Sequence, residues 1–91
     1  MQTIYLIDDD DTLRKKLNDV FKGERNYKFK QIKTENIEIA LKDIPALIII
    51  NEDTISESAS EVCSLIRADD DNAITPVIVI TSDVDRKHRI D

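Results

Sequence analysis

Four consecutive carboxylates, Asp8 to Asp11, follow directly on the first apolar run of the chain, Ile4–Ile7. Two later apolar runs also end in polar residues, one at Asn51 and the other at Thr81. Carboxylates on one loop are hard oxygen ligands that could hold Mg²⁺, and an amide oxygen can also coordinate a cation. The chemistry these residues could support is therefore cation-assisted, provided that the fold brings the three positions together.

The elements that must position them follow from periodicity. Ile4–Ile7, 46–50 and 77–80 are continuous apolar runs, typical of parallel strands buried on both faces. Tyr27–Ile32 roughly alternates apolar and polar residues, and its lysines suit an edge strand. Helical patterns between the runs give the order β-α-β-α-β-α-β, which predicts a parallel sheet with right-handed crossovers. Ligands of such sheets bind at the carboxyl ends of the strands, where the polar residues stand.

Apolar stripes predict a first helix over 11–22 and a second over 35–43. A third helix begins after Ser58, which has capping-box spacing to Glu61, and a fourth would begin near Ser82. The side chains expected to pack on the sheet from the first two helices are Leu13, Leu17, Val20, Phe21, Ile37, Ala40, Leu41 and Ile44.

Composition bounds the class of protein. The 91 residues make one domain, 1–91. Nineteen acidic and 13 basic residues give a net charge of −6, which argues against a nucleic-acid or anionic-membrane binder. The single cysteine, Cys63, excludes an intrachain disulfide. Because no signal peptide is apparent and no apolar run approaches the roughly 20 residues that span a bilayer, we expect a soluble cytoplasmic protein.

The acidic pair Asp8–Asp9, Asn51 and Thr81, each at the end of an apolar strand, resemble the site of a response-regulator receiver domain. The resemblance implies an α/β, flavodoxin-like (CheY-like) three-layer sandwich with a parallel sheet. The chain covers about three quarters of a family domain of ~120 residues, so the last β-α unit is expected to be lacking. The family implies a regulatory module of bacterial two-component signalling, in which an aspartate accepts a phosphoryl group.

The resemblance assigns a role to each position. Asp8 and Asp9 match the carboxylates that hold Mg²⁺, Asn51 matches the phosphoacceptor aspartate, and Thr81 matches the switch hydroxyl. An amide is not a nucleophile toward phosphate, so the resemblance implies a pseudo-receiver that is not phosphorylated in the usual way. The structural alternatives are a solvated turn and helix cap for 8–11, turn chemistry for Asn51, and a strand end for Thr81.

The chain also departs from the family. The loop 52–58 has neither the Met-Pro nor the Asp-Gly pair, and the lysine of the fifth strand would lie beyond Asp91. Asp53 could be a displaced phosphoacceptor, which would make the chain an autocatalytic receiver. The same fold could instead bind a nucleotide or flavin, although the carboxylates of 8–11 would repel phosphate unless a cation intervened.

The expected partner is another protein or a C-terminal output domain. We expect no cofactor other than Mg²⁺. We also expect no catalysis, unless the chain catalyses its own phosphorylation at Asp53. The apolar strand 77–80 would lack a neighbour on one side, and such an edge favours association. We therefore expect either that the chain is the N-terminal part of a larger regulator or that it forms a homodimer through this edge.

Overall fold

The structure is a computed structural model that describes residues 2–82. Its strands and helices are β1 Gln2–Ile7, α1 Thr12–Val20, β2 Tyr27–Ile32, α2 Ile37–Ala40, β3 Leu47–Asn51, α3 Ala59–Ala68 and β4 Val77–Ile80. The four strands form one parallel sheet in the order β2-β1-β3-β4. The predicted α/β fold with a parallel sheet is confirmed.

The register aligns the carboxyl ends of the strands. Ile7 pairs with Ile32 of β2 and with Ile50 of β3, and Asn51 pairs with Ile80 of β4. The polar residues that follow β1, β3 and β4 therefore emerge at one edge of the sheet, as the sequence predicted.

One face of the sheet is covered by α2 and α3. The apolar side chains between these helices and the sheet form a core and are fully or nearly fully buried. Ser58 caps α3, because its hydroxyl accepts the Glu61 N–H at 3.1 Å. Aliphatic side chains supply almost all of the apolar surface that is removed from water, which is the main term stabilising the fold. The core consists of Tyr5, Ile7, Ile32, Ile37, Leu41, Ile48, Ile50, Ala59, Val62 and Ile66.

The opposite face is covered less completely. α1 packs mainly against β2, and none of its residues is fully buried. The prediction that Val20 and Phe21 pack on the sheet was wrong: Val20 is 74% exposed, and Phe21 lies half-exposed beside the Phe29 ring, 5.4 Å between centroids. α1 ends at Val20 and packs mainly against β2, the edge strand of the sheet, so the end of its apolar stripe is left open to solvent.

The second helix is shorter than predicted. A 3₁₀ turn over Thr34–Asn36 precedes α2, which ends at Ala40, and Ile44 is 62% exposed rather than packed inward. The Tyr5 hydroxyl donates to the Ala40 carbonyl at 2.9 Å and so satisfies a carbonyl group at the helix end. Pro45 favours an extended conformation for the residue before it, which keeps Ile44 out of a helix.

The last described strand is also more exposed than its sequence predicted. Ile78 is 50% exposed, and Val79 and Ile80 are only partly covered. β4 lies at the end of the sheet, and no strand within 2–82 pairs with its outer edge. The helix predicted to begin near Ser82 falls on residues outside this range. Within the same range, no helix is long and apolar enough to cross a membrane.

Candidate functional site

Asp8 is the centre of the site. Its side chain is buried, with 1% of the residue surface exposed, because it follows the central strand β1. Oδ1 accepts hydrogen bonds from the Asp10 backbone N–H at 2.8 Å and from the Thr54 hydroxyl at 2.5 Å. Oδ2 accepts one from the Asn51 amide nitrogen at 3.1 Å. The carboxylate is therefore held by three donors from the β1–α1 loop, the end of β3 and the β3–α3 loop.

Asn51 supplies a neutral donor where the strand ends meet. The amide must present its nitrogen to Asp8, because its oxygen would otherwise face a carboxylate oxygen. A carboxylate in this position would face Asp8 without a proton or cation between them, which is electrostatically unfavourable. The predicted proximity of Asn51 and Asp8 is observed, and the amide satisfies Asp8 with no added charge.

Thr54 belongs to the site, although the sequence pattern did not predict it as a site residue. Its hydroxyl donates to Asp8, and its backbone N–H donates to the Asn51 carbonyl at 3.3 Å, which closes a tight turn after β3. The only sequence signal was a hydroxyl residue three positions after the strand end, a pattern common in turns without any site. Thr54 connects the two predicted positions, Asp8 and Asn51.

The other carboxylates after β1 have separate roles. Asp9 accepts the Thr34 N–H at 2.9 Å and its hydroxyl at 3.1 Å, which joins this loop to the segment after β2. Asp10 accepts the Thr12 N–H at 3.2 Å in an Asx turn just before α1, whereas Asp11, the N-cap residue, makes no side-chain cap hydrogen bond. Asp11 forms a bidentate ion pair with Arg14, and the guanidinium hydrogen bonds lower the pKa of the Asp11 carboxyl.

The carboxylate oxygens of Asp8 and Asp9, which a magnesium ion would need, are engaged in hydrogen bonds in this structure. Mg²⁺ needs carboxylate oxygens that are free to coordinate it, whereas both Asp8 oxygens accept N–H or O–H groups and Asp9 is directed to Thr34. Within residues 2–82, no group of three acidic, histidine or cysteine side chains could hold a metal. Mg²⁺ binding by Asp8 and Asp9 stays a prediction.

Asp53 and Thr81 lie together beside this cluster. The exposed Asp53 carboxylate accepts the Ser82 backbone N–H at 3.0 Å, and the Thr81 hydroxyl donates to it at 3.5 Å. Asp53 thereby fixes the loop after β3 to the end of β4. The structure thus brings Asp53 to the predicted switch position, Thr81, while Asn51 contacts Asp8.

The rest of the loop after β3 is fixed to the start of α3. The Glu52 carboxylate accepts the Ala59 backbone N–H at 2.8 Å, which satisfies an N–H group of the first turn of the helix. Farther along α3, burial raises the pKa of the Cys63 thiol; the positive charge of Arg67 partly opposes this effect, and the negative charge of Glu52 adds to it. Because a raised pKa disfavours the reactive thiolate, Cys63 is a packing residue rather than a nucleophile.

Comparison with known proteins gives a likeness among solved structures. No protein-family model matches the chain, and no curated protein matches it. Among solved structures, it is similar to the crystal structure of a signal receiver domain of two-component signal transduction (histidine kinase) from Clostridium thermocellum. The two are 27% identical, with a TM-score of 0.73 over 96% of this chain and 74% of the other. The likeness thus extends along nearly the whole chain.

Proposed function

Because the likeness supports recognition of this chain as a receiver domain of two-component signalling, we propose that it is a degenerate receiver that is not phosphorylated at its strand-end position. The observation that carries the proposal is the 3.1 Å hydrogen bond from the Asn51 amide to the buried Asp8 carboxylate. A receiver that accepts phosphate needs a nucleophilic oxygen at this position, and the amide provides none.

The hydrogen bonds around Asp8 support a site that keeps one conformation without phosphorylation. The carboxylate is satisfied by Asn51, Thr54 and Asp10, so that no cation is required to balance facing charges. Input would then come from a partner protein, a small ligand or self-association instead of phosphorylation of an aspartate. The chain would act as a regulatory module in the cytoplasm, without catalysis of its own.

The partner of such a module would be another protein or an output domain in the same polypeptide. The net charge of −6 makes direct binding to nucleic acid unfavourable. Its output would be transmitted through protein contacts, as expected for a two-component signalling module.

A second candidate function is a receiver phosphorylated at Asp53. It is favoured by the exposure of that carboxylate and by its contact with Thr81, at the position of the switch hydroxyl. The bonds from the Ser82 N–H weigh against it, because they occupy the oxygens that would attack phosphorus. The two candidates differ in whether the native chain forms any aspartyl phosphate.

The experiment that separates them is incubation of the native chain and of Asp53→Asn with Mg²⁺ and acetyl phosphate, followed by intact-mass measurement. We expect no phosphoryl adduct on either chain. An adduct on the native chain that disappears in Asp53→Asn would establish the second candidate and refute the first.

Self-association through the edge of β4 is a further part of the proposal. This strand, Val77–Ile80, carries no charge, whereas the opposite edge strand, β2, bears Lys28 and Lys30. Two copies of β4 can therefore pair without bringing like charges together, while the lysines discourage pairing through β2. A second copy of the chain is the occupant that we propose for this edge.

We expect the native chain to dimerise with rising concentration in light scattering, and Ile78→Lys to remain monomeric. The lysine places a charge on the apolar edge, which lowers the affinity by about tenfold or more, equivalent to about 1.4 kcal/mol. Ile39→Lys, at an exposed position on α2, is the matched control and should still dimerise. A monomeric native chain with β4 amides fully protected from hydrogen exchange would refute pairing through this edge.

A further inference from the structure

A groove of about 200 Å³ lies toward the amino ends of β1 and β2, away from the carboxyl ends that carry Asp8 and Asn51. The segment that follows α2, which ends at Ala40, contributes Asp43, Ile44 and Pro45 to its lining. Tyr5 lines the groove while its hydroxyl holds the helix end, and the chain returning through Pro45 closes one side.

Two lysines line this groove. Lys28 and Lys30 are two positions apart on β2, so both side chains leave the same face of the sheet. They pair in register with Thr3 and Tyr5, which also line the groove. Among the described residues, neither ammonium group forms an ion pair. Two positive charges that form no ion pair within residues 2–82 therefore line one depression of an otherwise acidic protein.

The remaining charge in the groove is Asp43. Burial raises the pKa of the Tyr5 phenol, and the negative charge of Asp43 raises it further, so Tyr5 contributes no negative charge at neutral pH. The lining therefore has two positive charges and one negative charge, together with the Thr3 hydroxyl. This excess of positive charge favours the binding of an anion. Repulsion between the anion and Asp43 weakens that binding.

We propose that this groove binds a small phosphate dianion. Lysine ammonium groups act as point charges toward phosphate, and two of them can share its oxygens. A volume of about 200 Å³ is below the ~300–1,000 Å³ of sites for drug-sized ligands, so the ligand is small. The inference is independent of the proposed function, because the groove contains none of the residues around Asp8. If the lysines serve only to prevent pairing of the β2 edge, no saturable anion site exists.

The test is an amide NMR titration of the chain with inorganic phosphate at pH 8 and constant ionic strength. We expect saturable shifts for residues 3, 28–30 and 43–46, with a Kd on the order of 1 mM. Lys28→Gln/Lys30→Gln should weaken binding by about tenfold or more, since it removes both charges. Lys16→Gln/Lys22→Gln makes the same change in net charge at exposed positions and should alter the Kd by less than about twofold.

Asp43→Asn gives a test of opposite sign. Removing this carboxylate should tighten phosphate binding by about threefold, whereas Asp19→Asn on exposed α1 should leave it nearly unchanged. Shifts that stay linear in phosphate, or equal weakening by both lysine pairs, would overturn the proposal. Saturation of the groove by a hexaglutamate peptide but not by phosphate would also overturn it and would assign the groove to protein docking.

Discussion

Replacing Asn51 by aspartate will lower the free energy of unfolding by about 1–3 kcal/mol in metal-free buffer. The substitution removes the N–H donor that lies 3.1 Å from Asp8 and sets a second carboxylate against it. Urea denaturation with EDTA and then with Mg²⁺ measures the effect. Mg²⁺ should restore most of the loss in the variant, because a divalent cation neutralises facing carboxylates, and should change the native chain little.

Asn18→Asp is the matched control for this prediction. It introduces the same charge at an exposed position on α1 and should change stability by less than about 0.5 kcal/mol, with or without Mg²⁺. If Asn51→Asp is as stable as the native chain without metal, the side chain at 51 does not face Asp8. The hydrogen bond between the Asn51 amide and the Asp8 carboxylate would then be refuted.

Replacing Asp8 by alanine will destabilise the fold by about 3 kcal/mol or more. The substitution removes the acceptor of the Asn51 amide and the Asp10 N–H from a partly buried cluster, and it leaves the Thr54 hydroxyl only its longer contact, 3.3 Å to the Asn51 carbonyl. Because a small domain has only about 5–15 kcal/mol of stability, a measurable fraction of the variant should be unfolded at moderate temperature. Urea denaturation followed by circular dichroism measures the loss.

Two further variants provide reference values for the loss of stability in Asp8→Ala. Thr54→Val removes one donor and keeps the shape of the side chain, so its cost should be about 1 kcal/mol. Asp19→Ala removes an exposed carboxylate from α1 and should cost less than about 0.5 kcal/mol. An Asp8→Ala variant no less stable than Asp19→Ala would show that the carboxylate does not organise the three segments around it.

The order of elements and the position of the site could be predicted because both depend on local pattern. Continuous apolar runs marked the central strands, and β2 was predicted with the bounds it has, Tyr27–Ile32. Parallel pairing then required the ends of β1, β3 and β4 to meet, which placed Asn51 near Asp8.

The exposure of several apolar side chains could not be predicted, because it depends on what lies beside each element. An apolar run such as Val77–Ile80 has the same sequence whether or not a strand pairs with its outer edge. The stripe of α1 was correctly identified as apolar, yet Val20 at the end of this stripe is exposed. Periodicity identifies the face that can be buried, and the surrounding layers determine how much of it is.

The contacts made by loop residues also could not be predicted from the sequence. Thr54 reaches Asp8 only because the turn after β3 folds back over the strand end, and Asp9 turns toward Thr34 because the segment after β2 passes beside it. Both contacts join residues more than 20 positions apart through loop conformation. No periodic pattern encodes that conformation, so runs of carboxylates and hydroxyls leave the partners undetermined.

We propose that Asn51 keeps an otherwise receiver-like site from accepting phosphate. The most direct measurement is the intact mass of the native chain and of Asn51→Asp after incubation with Mg²⁺ and acetyl phosphate. We expect Asn51→Asp to gain one phosphoryl group and the native chain to gain none. A native chain that gains a phosphoryl group, or an Asn51→Asp chain that gains none, would contradict the proposal.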